Sequence, residues 1–254
     1  NFGVTALGPW TGALDGDGER VTLRDVADNV IDEVDYRSEF PWPIAANGGG
    51  GSMELINPLL DNDLGSSWAT PLNPPRPSPG KANQVLSAAP APNIRQVDHS
   101  PREPVSTNTV LITAKVTDPE GVASVVLKFQ VVLPGNFIPA TLPLTKTQLD
   151  SLTTNPTLTN SPNPAFEAAT NWISVAMHDD GLNGDTVAGD DVYSVALPPQ
   201  AHRTLVRYRI VVTDSFGSSR RAPFEDDPSL NFAYFVYDGI PDYMGVAREK
   251  LETL

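Results

Sequence analysis

The densest group of side chains with metal-binding chemistry lies in residues 178–191, HDDGLNGDTVAGDD, which we call the acidic loop. Carboxylates this close repel one another unless a cation or full solvation relieves the repulsion, and no lysine or arginine lies among them. The glycines let the backbone turn several oxygens toward one ion, and calcium accepts about 6–8 oxygen ligands in flexible geometry. We predict a calcium site whose ligands are the five aspartates of this loop: Asp179, Asp180, Asp185, Asp190 and Asp191.

Two alternatives to this calcium site remain open. The aspartates can form solvated Asx turns that hold the entry of the strand that follows. A pair of acids for glycoside hydrolysis is the other alternative, with Asp179, Asp180 and Asp185 as its candidates. An EF-hand does not fit, because counting Asp180 as its first position puts Leu182 at the third and Asp185 where that loop needs glycine.

Other catalytic patterns are missing from the sequence. The chain has no cysteine, which excludes a disulfide, a thiolate metal site and a cysteine nucleophile. Its three histidines, His99, His178 and His202, lack the spacing of a zinc pair. No GxSxG motif nominates a nucleophilic serine. We therefore predict a protein that is not an enzyme.

The net charge of the 254-residue chain is −14, and the charge is uneven. Residues 1–63 carry 12 acids against 3 bases, whereas the remainder carries 19 against 14. This acidity repels nucleic-acid backbones and anionic lipids, so we expect no nucleic-acid partner. No apolar run approaches the roughly 18 residues that cross a bilayer, and the start at Asn1 lacks a secretory pattern. We expect no membrane insertion, and we interpret the chain as an internal piece of a longer protein.

Short antiparallel strands are predicted for the first part of the chain. The 25 prolines and 19 glycines favour many short strands with long connections. Val21 and Leu23 alternate with polar residues after a GDG turn, and Val34 and Tyr36 share one face of the next stretch. A third strand is expected at residues 53–55. The stretch that follows the first part, PLNPPRPSPGKANQVLSAAPAPN, has the composition of a semi-extended linker, with a structured surface loop as the alternative.

Longer alternating stretches predict the core of a second domain. TVLITAKVTDPEGVASVVLKFQVV alternates on both sides of its DPEG turn, and HRTLVRYRIVVTDSFG predicts a second hairpin. We predict that residues 109–132 and 204–237 share one core. Four residues are predicted to be buried in it: Val125, Phe129, Tyr208 and Ile210. LTKTQLDSL, near residues 144–152, predicts one short helix.

Two further sets of side chains have a structural and a functional interpretation. One is a basic stripe: Arg203, Arg207, Arg209, Arg220 and Arg221. We expect it to be a solvated sheet face paired with nearby acids, and contact with an anionic polysaccharide is the alternative. The other set is the tryptophans: Trp10, Trp42, Trp68 and Trp172. We expect them in the cores, with sugar stacking as the alternative.

Part of the chain resembles a known family. GALDGDGERVTLRDVADNVIDEVDY, PWP, GGGGSMELINP and SSW, between residues 8 and 70, resemble the later strands of a lamin tail domain, which is an immunoglobulin-like sandwich. The opening strands of that family are absent before Asn1. The resemblance therefore implies an incomplete sandwich whose edge, near residues 20–36, is completed by the linker, the second domain or another chain.

Residues 94–243 carry a second resemblance, in VTDPEGVASVVLKFQVV, DDGLNGDTVAGDDVYS, HRTLVRYRIVVTDSFG and DPSLNFAYFVYDGIPDY. These segments are similar to the Ig-like module that lies between a lamin tail domain and a CotH-type kinase-like domain in planctomycete and related bacterial surface proteins. This resemblance implies a bacterial protein that is extracellular or on the cell surface. It also implies that any phosphotransfer chemistry lies in a flanking domain of the parent chain.

These observations together predict an all-β chain of two tandem immunoglobulin-like β-sandwiches, the first incomplete, joined by a proline-rich linker. The predicted boundaries are 1–72 for the partial lamin-tail-like sandwich, 73–93 for the linker, 94–243 for the second sandwich and 244–254 for a tail. The predicted function is a non-catalytic structural or interaction module, stabilised by calcium, with a protein or polysaccharide partner. The alternative is a carbohydrate-binding module or an accessory domain of a glycoside hydrolase.

Overall fold

The structure of the chain is a computed structural model that describes Thr5 and residues 11–48, 50–71, 77–155, 160–168, 171–227 and 229–240. The strands in this part of the chain are β1 (Arg20–Arg24), β2 (Val30–Asp35), β3 (Glu54–Leu55), β4 (Trp68–Ala69), β5 (Asn93–Ser100), β6 (Val110–Thr117), β7 (Val122–Val132), β8 (Ile173–Ala176), β9 (Val192–Leu197), β10 (Leu205–Asp214), β11 (Ser219–Ala222) and β12 (Phe232–Phe235). The described α-helices are short: α1 (Lys146–Ser151) and α2 (Pro164–Glu167). The prediction of an all-β protein is confirmed.

Two antiparallel sheets make up the larger part of the described chain. One sheet contains β11, β10, β7 and β8 in that order, and β12 also pairs with β10. The other contains β5, β6 and β9. The longest register joins β7 to β10 and runs from Val132 opposite Leu205 to Val122 opposite Asp214. A shift of one residue in this register would turn the apolar face of β10 outward, so the alternation itself specifies the pairing.

The core contains alternating residues from both sheets. β6 contributes Val110, Ile112, Ala114 and Val116, and β10 contributes Val206, Tyr208, Ile210 and Val212. Val125 and Phe129 of β7 are buried in the same cluster. The prediction that residues 109–132 and 204–237 share one core is therefore confirmed, and the arrangement is sandwich-like. Burial of each large apolar side chain contributes about 1.5–3 kcal/mol relative to its exposed state.

The outer face of β10 is covered by aromatic side chains. The guanidinium carbon of Arg207 lies 4.6 Å from the centre of the Phe137 ring, and that of Arg209 lies 4.2 Å from the Trp172 ring. Arg207 also donates a hydrogen bond to the Ile138 carbonyl oxygen at 2.7 Å. Both arginines are buried. The expectation of a solvated basic face is therefore wrong for these two residues, because the segment before β8 folds over them.

The predicted short helix is confirmed as α1. Its capping box explains where it begins, because Thr145 Oγ1 accepts from the Gln148 backbone N–H and the Gln148 side chain accepts from the Thr145 backbone N–H. The predicted tail, residues 244–254, lies outside the described residues. Trp10 and residues 72–76, which include the end of the predicted first domain and the start of the predicted linker, lie outside them as well.

Residues 11–71 form two small antiparallel sheets, β1 with β2 and β3 with β4. Trp42 packs between them, with its ring 6.2 Å from the ring of Trp68. Gly65 permits this position of the Trp42 ring, because a Cβ atom at residue 65 would lie 2.7 Å from the Trp42 indole. Trp42 is buried, as expected for a core tryptophan, and Trp68 is half-buried beside it.

The described part of the predicted linker contacts β3 and the residues after it. Ser78 and Gln84 donate backbone hydrogen bonds to the Glu54 carboxylate, at 3.2 and 2.7 Å. The Ser87 backbone N–H donates to the Ile56 carbonyl oxygen at 2.9 Å. This segment therefore lies against the first part of the chain. The division into domains at residues 72 and 93 stays a prediction.

The first part of the chain also packs against the larger sheets. Arg220 of β11 donates a hydrogen bond to the Ser66 carbonyl oxygen at 2.5 Å, and burial lowers the pKa of Arg220 to about 10. The Phe40 ring lies 5.4 Å from the Phe224 ring and 5.6 Å from the Phe232 ring. These contacts attach the two parts through apolar packing and one half-buried charge.

Candidate metal centre in the acidic loop

The acidic loop connects β8 to β9, and two strands define its base. His178 and Ser194 exchange backbone hydrogen bonds, from His178 N–H to Ser194 oxygen at 3.0 Å and in return at 2.8 Å. At the far end, the Val116 backbone N–H of β6 donates to the Asp191 carbonyl oxygen at 2.9 Å. The loop is therefore anchored at both ends to paired strands, which hold its carboxylates near one another.

Three of the five predicted ligands meet in this loop. Asp179, Asp185 and Asp190 each have a carboxylate oxygen within 4.8 Å of those of the other two. Asp180 and Asp191 are not members of this group of three. Asp185 is buried and the other two members are half-buried, so the cluster lies partly beneath the loop surface.

Backbone hydrogen bonds hold the three carboxylates in place. Asp179 accepts from the N–H groups of Gly189 at 2.7 Å, Asp190 at 3.2 Å and Asp191 at 2.9 Å. Asp185 accepts from Gly181 N–H at 2.6 Å. The carboxylates thus close the loop on itself and partly satisfy the backbone donors of its turns.

The Asx-turn alternative also has contacts that support it. Asp180 accepts from the Leu182 N–H at 2.9 Å, and Asp190 accepts from the Val192 N–H at 3.0 Å, both two residues further along the chain. An ionised carboxylate has about four acceptor sites, so one such bond leaves most of its lone pairs available. Asx turns and cation binding are therefore compatible for Asp190.

The charge state of Asp185 favours a cation. The hydrogen bond from the Gly181 N–H is the main cause that lowers the pKa of Asp185 below its ordinary value, and burial opposes it. Further backbone hydrogen bonds, among them one from Val187 N–H, act in the same direction. Asp185 is therefore ionised at neutral pH, as a calcium ligand must be.

The residues present fit calcium in donor type and spacing. Three clustered carboxylates supply hard oxygen ligands, and backbone carbonyls or water would complete a shell of about 6–8 oxygens. Gly184 holds the loop against β6, because a Cβ atom there would lie 2.5 Å from Leu111 Cδ1, and its φ is +106°. Glycine at this position therefore allows the close approach that brings the acidic loop onto the sheet.

The histidines occupy separate environments. His99 Nδ1 lies 3.1 Å from the Tyr208 hydroxyl, and His202 stacks on Tyr237 at 5.2 Å between ring centres. His178 lies at the base of the acidic loop, where its backbone pairs with Ser194. Each described histidine therefore has structural contacts of its own.

The sequence did not predict two features of the structure. One is the buried carboxylate of Glu54, which is only 5% exposed. The other is an apolar groove on β1 and β2, lined by Val21, Leu23 and Val34. Val21 and Leu23 alternate with polar residues, and this pattern indicates that the strand has one apolar face. The pattern does not indicate whether another element covers that face.

Comparison with protein-family models finds no matching family, and a search of curated proteins finds no relative. Among the described residues, no helix is long and apolar enough to span a membrane. The resemblances to a lamin tail domain and to the Ig-like module of CotH-type surface proteins stay predictions.

Proposed function

We propose that this chain is a non-catalytic structural and interaction module of a larger bacterial protein that is secreted or exposed on the cell surface. In this proposal its strands form two tandem immunoglobulin-like sandwiches, the first incomplete, and calcium stabilises the second. The observation that carries the calcium proposal is the meeting of the Asp179, Asp185 and Asp190 carboxylates within 4.8 Å. The resemblance of residues 94–243 to a surface-protein module supports the location.

Calcium would act here as a structural ion. It would bind the carboxylates of Asp179, Asp185 and Asp190 and relieve their mutual repulsion, which otherwise opposes the folded loop. The loop joins β8 of one sheet to β9 of the other, so a bound ion would stabilise the connection between the two sheets. This role involves no reaction, and the partner of the module would be a protein or a polysaccharide.

The carbohydrate-binding alternative requires exposed tryptophan rings that lie in one plane. Trp42 is buried, and its ring is inclined by 31° to that of Trp68. The Trp172 ring lies against the Arg209 guanidinium at 4.2 Å. These packing roles do not favour sugar stacking, and we do not extend the proposal to it.

The test is the thermal unfolding of chelator-treated protein with and without millimolar calcium. If calcium binds only the folded chain, saturation to about 100 times the dissociation constant adds about 2.7 kcal/mol. For a chain of this size, such stabilisation raises the melting temperature by about 5–10 °C.

Matched variants locate the ion. Asp190→Asn removes a carboxylate of the cluster, whereas Asp180→Asn makes the same change outside it, and each aspartate accepts one backbone N–H two residues ahead. The calcium-induced rise should be lost in Asp190→Asn and kept in Asp180→Asn. Identical melting curves with and without calcium in the unsubstituted protein would refute the calcium proposal.

A further inference from the structure

The sequence contains two Asn–Gly pairs, Asn183–Gly184 in the acidic loop and Asn47–Gly48 between β2 and β3. An asparagine before glycine can lose its side-chain amide without an enzyme, because glycine has no Cβ atom to hinder attack by its own backbone nitrogen. Both asparagines are exposed to solvent. The sequence alone therefore does not distinguish the two pairs.

Asn183 and Gly184 are the central residues of a tight turn. The Asp185 backbone N–H donates to the Leu182 carbonyl oxygen at 3.0 Å, and φ is +54° at Asn183 and +106° at Gly184. Asparagine followed by glycine is the pair most typical of such a turn. Among the described residues, the Asn183 side chain has no hydrogen-bond partner. Its amide is therefore free to turn toward the Gly184 nitrogen.

The Asn47 side chain is held in place. Its Nδ2 donates a hydrogen bond to the Gly16 carbonyl oxygen at 2.9 Å. Its backbone N–H donates to the Ile44 carbonyl oxygen at 2.9 Å, so one backbone bond closes this turn, as one closes the turn at Asn183. The side-chain bond distinguishes the two pairs, because it must break before Asn47 can react.

We propose that Asn183 is a site of spontaneous deamidation and that the bond to Gly16 protects Asn47. The Gly184 backbone nitrogen loses its proton and attacks Asn183 Cγ. A C–N bond forms there, the bond from Cγ to Nδ2 breaks, and the amide nitrogen leaves as ammonia with that proton. Solvent water then opens the cyclic imide at one of its two carbonyl carbons. The product is aspartate, or isoaspartate, in which the main chain continues through Cγ.

The isoaspartate product should weaken the attachment of the acidic loop to β6. It lengthens the main chain by one carbon atom immediately before Gly184. Gly184 lies so close to the sheet that an added Cβ atom would be 2.5 Å from Leu111 Cδ1. A shift at such a close contact costs stability, because packed neighbours have little room to relax. The aspartate product keeps the normal main chain and adds only a carboxylate at an exposed position.

The two rates are compared in the full chain, in a chelator, at mildly alkaline pH, which favours loss of the glycine N–H proton. Peptide mapping by mass spectrometry measures the conversion of each asparagine, because hydrolysis of the amide changes its mass. We expect Asn183 to convert about three to ten times faster than Asn47, the factor that corresponds to one net hydrogen bond. In guanidinium chloride, where the structure is lost, the two rates should become nearly equal.

Three variants connect the reaction to the stability of the acidic loop. Asn183→Gln would need a larger ring to cyclise, so the same incubation should leave its melting temperature unchanged. The matched Asn47→Gln should lose stability during incubation as the unsubstituted protein does. Asn183→Asp has the charge of the product without the longer main chain, and it should melt within about 2 °C of the unsubstituted protein. The deamidated fraction in which peptide mapping shows isoaspartate should melt at least about 3 °C lower than Asn183→Asp.

Three outcomes would overturn this inference. Equal conversion of Asn183 and Asn47 in the folded chain would show that the bond to Gly16 gives no protection. A difference of the same size in guanidinium chloride would show that neighbouring sequence determines the rates. An isoaspartate fraction that melts together with Asn183→Asp would refute the effect on the contact of Gly184 with β6. All of these measurements are made without calcium, so they are independent of the proposed function.

Discussion

Replacing Glu54 with glutamine tests whether a buried carboxylate holds residues 78–84 against β3. Glu54 Oε1 accepts hydrogen bonds from Ser52 Oγ at 2.8 Å and from the Ser78 backbone N–H and hydroxyl at 3.2 and 2.6 Å. Its Oε2 accepts from the Gln84 backbone N–H at 2.7 Å. One side chain thus joins three positions, two of them in the predicted linker.

The expected cost follows from these bonds. Glutamine has nearly the same shape as glutamate. Its NH2 group would replace one carboxylate oxygen, however, and a donor would then meet the N–H or O–H group that donates to that oxygen in the unsubstituted protein. A buried donor without an acceptor costs about 1–3 kcal/mol, and loss of the charge weakens the remaining bonds by about 1 kcal/mol in total. We therefore expect Glu54→Gln to lower the free energy of unfolding by about 2–4 kcal/mol.

Urea unfolding of the full chain at neutral pH measures this change. Glu39→Gln is the matched control, because it makes the same substitution at an exposed carboxylate, and it should change the free energy of unfolding by less than about 0.5 kcal/mol. Equal unfolding midpoints for Glu54→Gln and the unsubstituted protein would refute the assignment of this role to Glu54.

The pH dependence provides a second readout. Burial acts to raise the pKa of Glu54, but the hydrogen bonds from Ser78, Ser52 and Gln84 outweigh it and hold the pKa below the ordinary value of 4.5. The unfolded chain then takes up the proton first as the pH falls, so this stabilisation is present above pH 4.5 and is lost below it. The difference in free energy of unfolding between the unsubstituted protein and Glu54→Gln should therefore become smaller as the pH falls below 4.5. A constant difference would contradict the pKa assignment.

Two further substitutions probe the loop anchor and the covered arginine. Gly184→Ala should destabilise by about 2–4 kcal/mol, because its Cβ would lie 2.5 Å from Leu111 Cδ1 at a φ of +106°. The matched Gly189→Ala, at a φ of +77° with open space around it, should cost only about 1–2 kcal/mol, and thermal unfolding compares the two. Arg209→Lys should lower the free energy of unfolding in urea by about 1–2 kcal/mol. The reason is that the lysine ammonium, unlike the guanidinium, has no planar group to stack on the Trp172 ring. An unchanged midpoint would argue against that stacking.

The sequence by itself determined the strands of the larger part and the helix α1. Period-two alternation admits one inward face per strand, which is why Tyr208 and Phe129 are buried as predicted. The start of α1 depends on Thr145 and Gln148, which are neighbours in the chain. Both signals act over a few residues, so they can be recognised without the fold.

The covering of strand faces was decided only by tertiary structure. Arg207 and Arg209 alternate with apolar residues as solvated residues would, yet distant aromatic side chains bury them. Leu23 alternates in the same way and stays exposed. Alternation reports that a strand has two different faces, but what covers each face depends on segments far away in the chain.

For the acidic loop, too, the sequence determined one feature and the tertiary structure decided another. Its composition determined that carboxylates and turns would be concentrated between two strands. Which carboxylates meet was decided by the hydrogen bonds that close the loop and by the pairing of His178 with Ser194, which bring Asp179 and Asp190 together from opposite ends of the loop. Spacing along a glycine-rich chain does not specify distances in space, because each glycine admits backbone conformations that other residues rarely adopt.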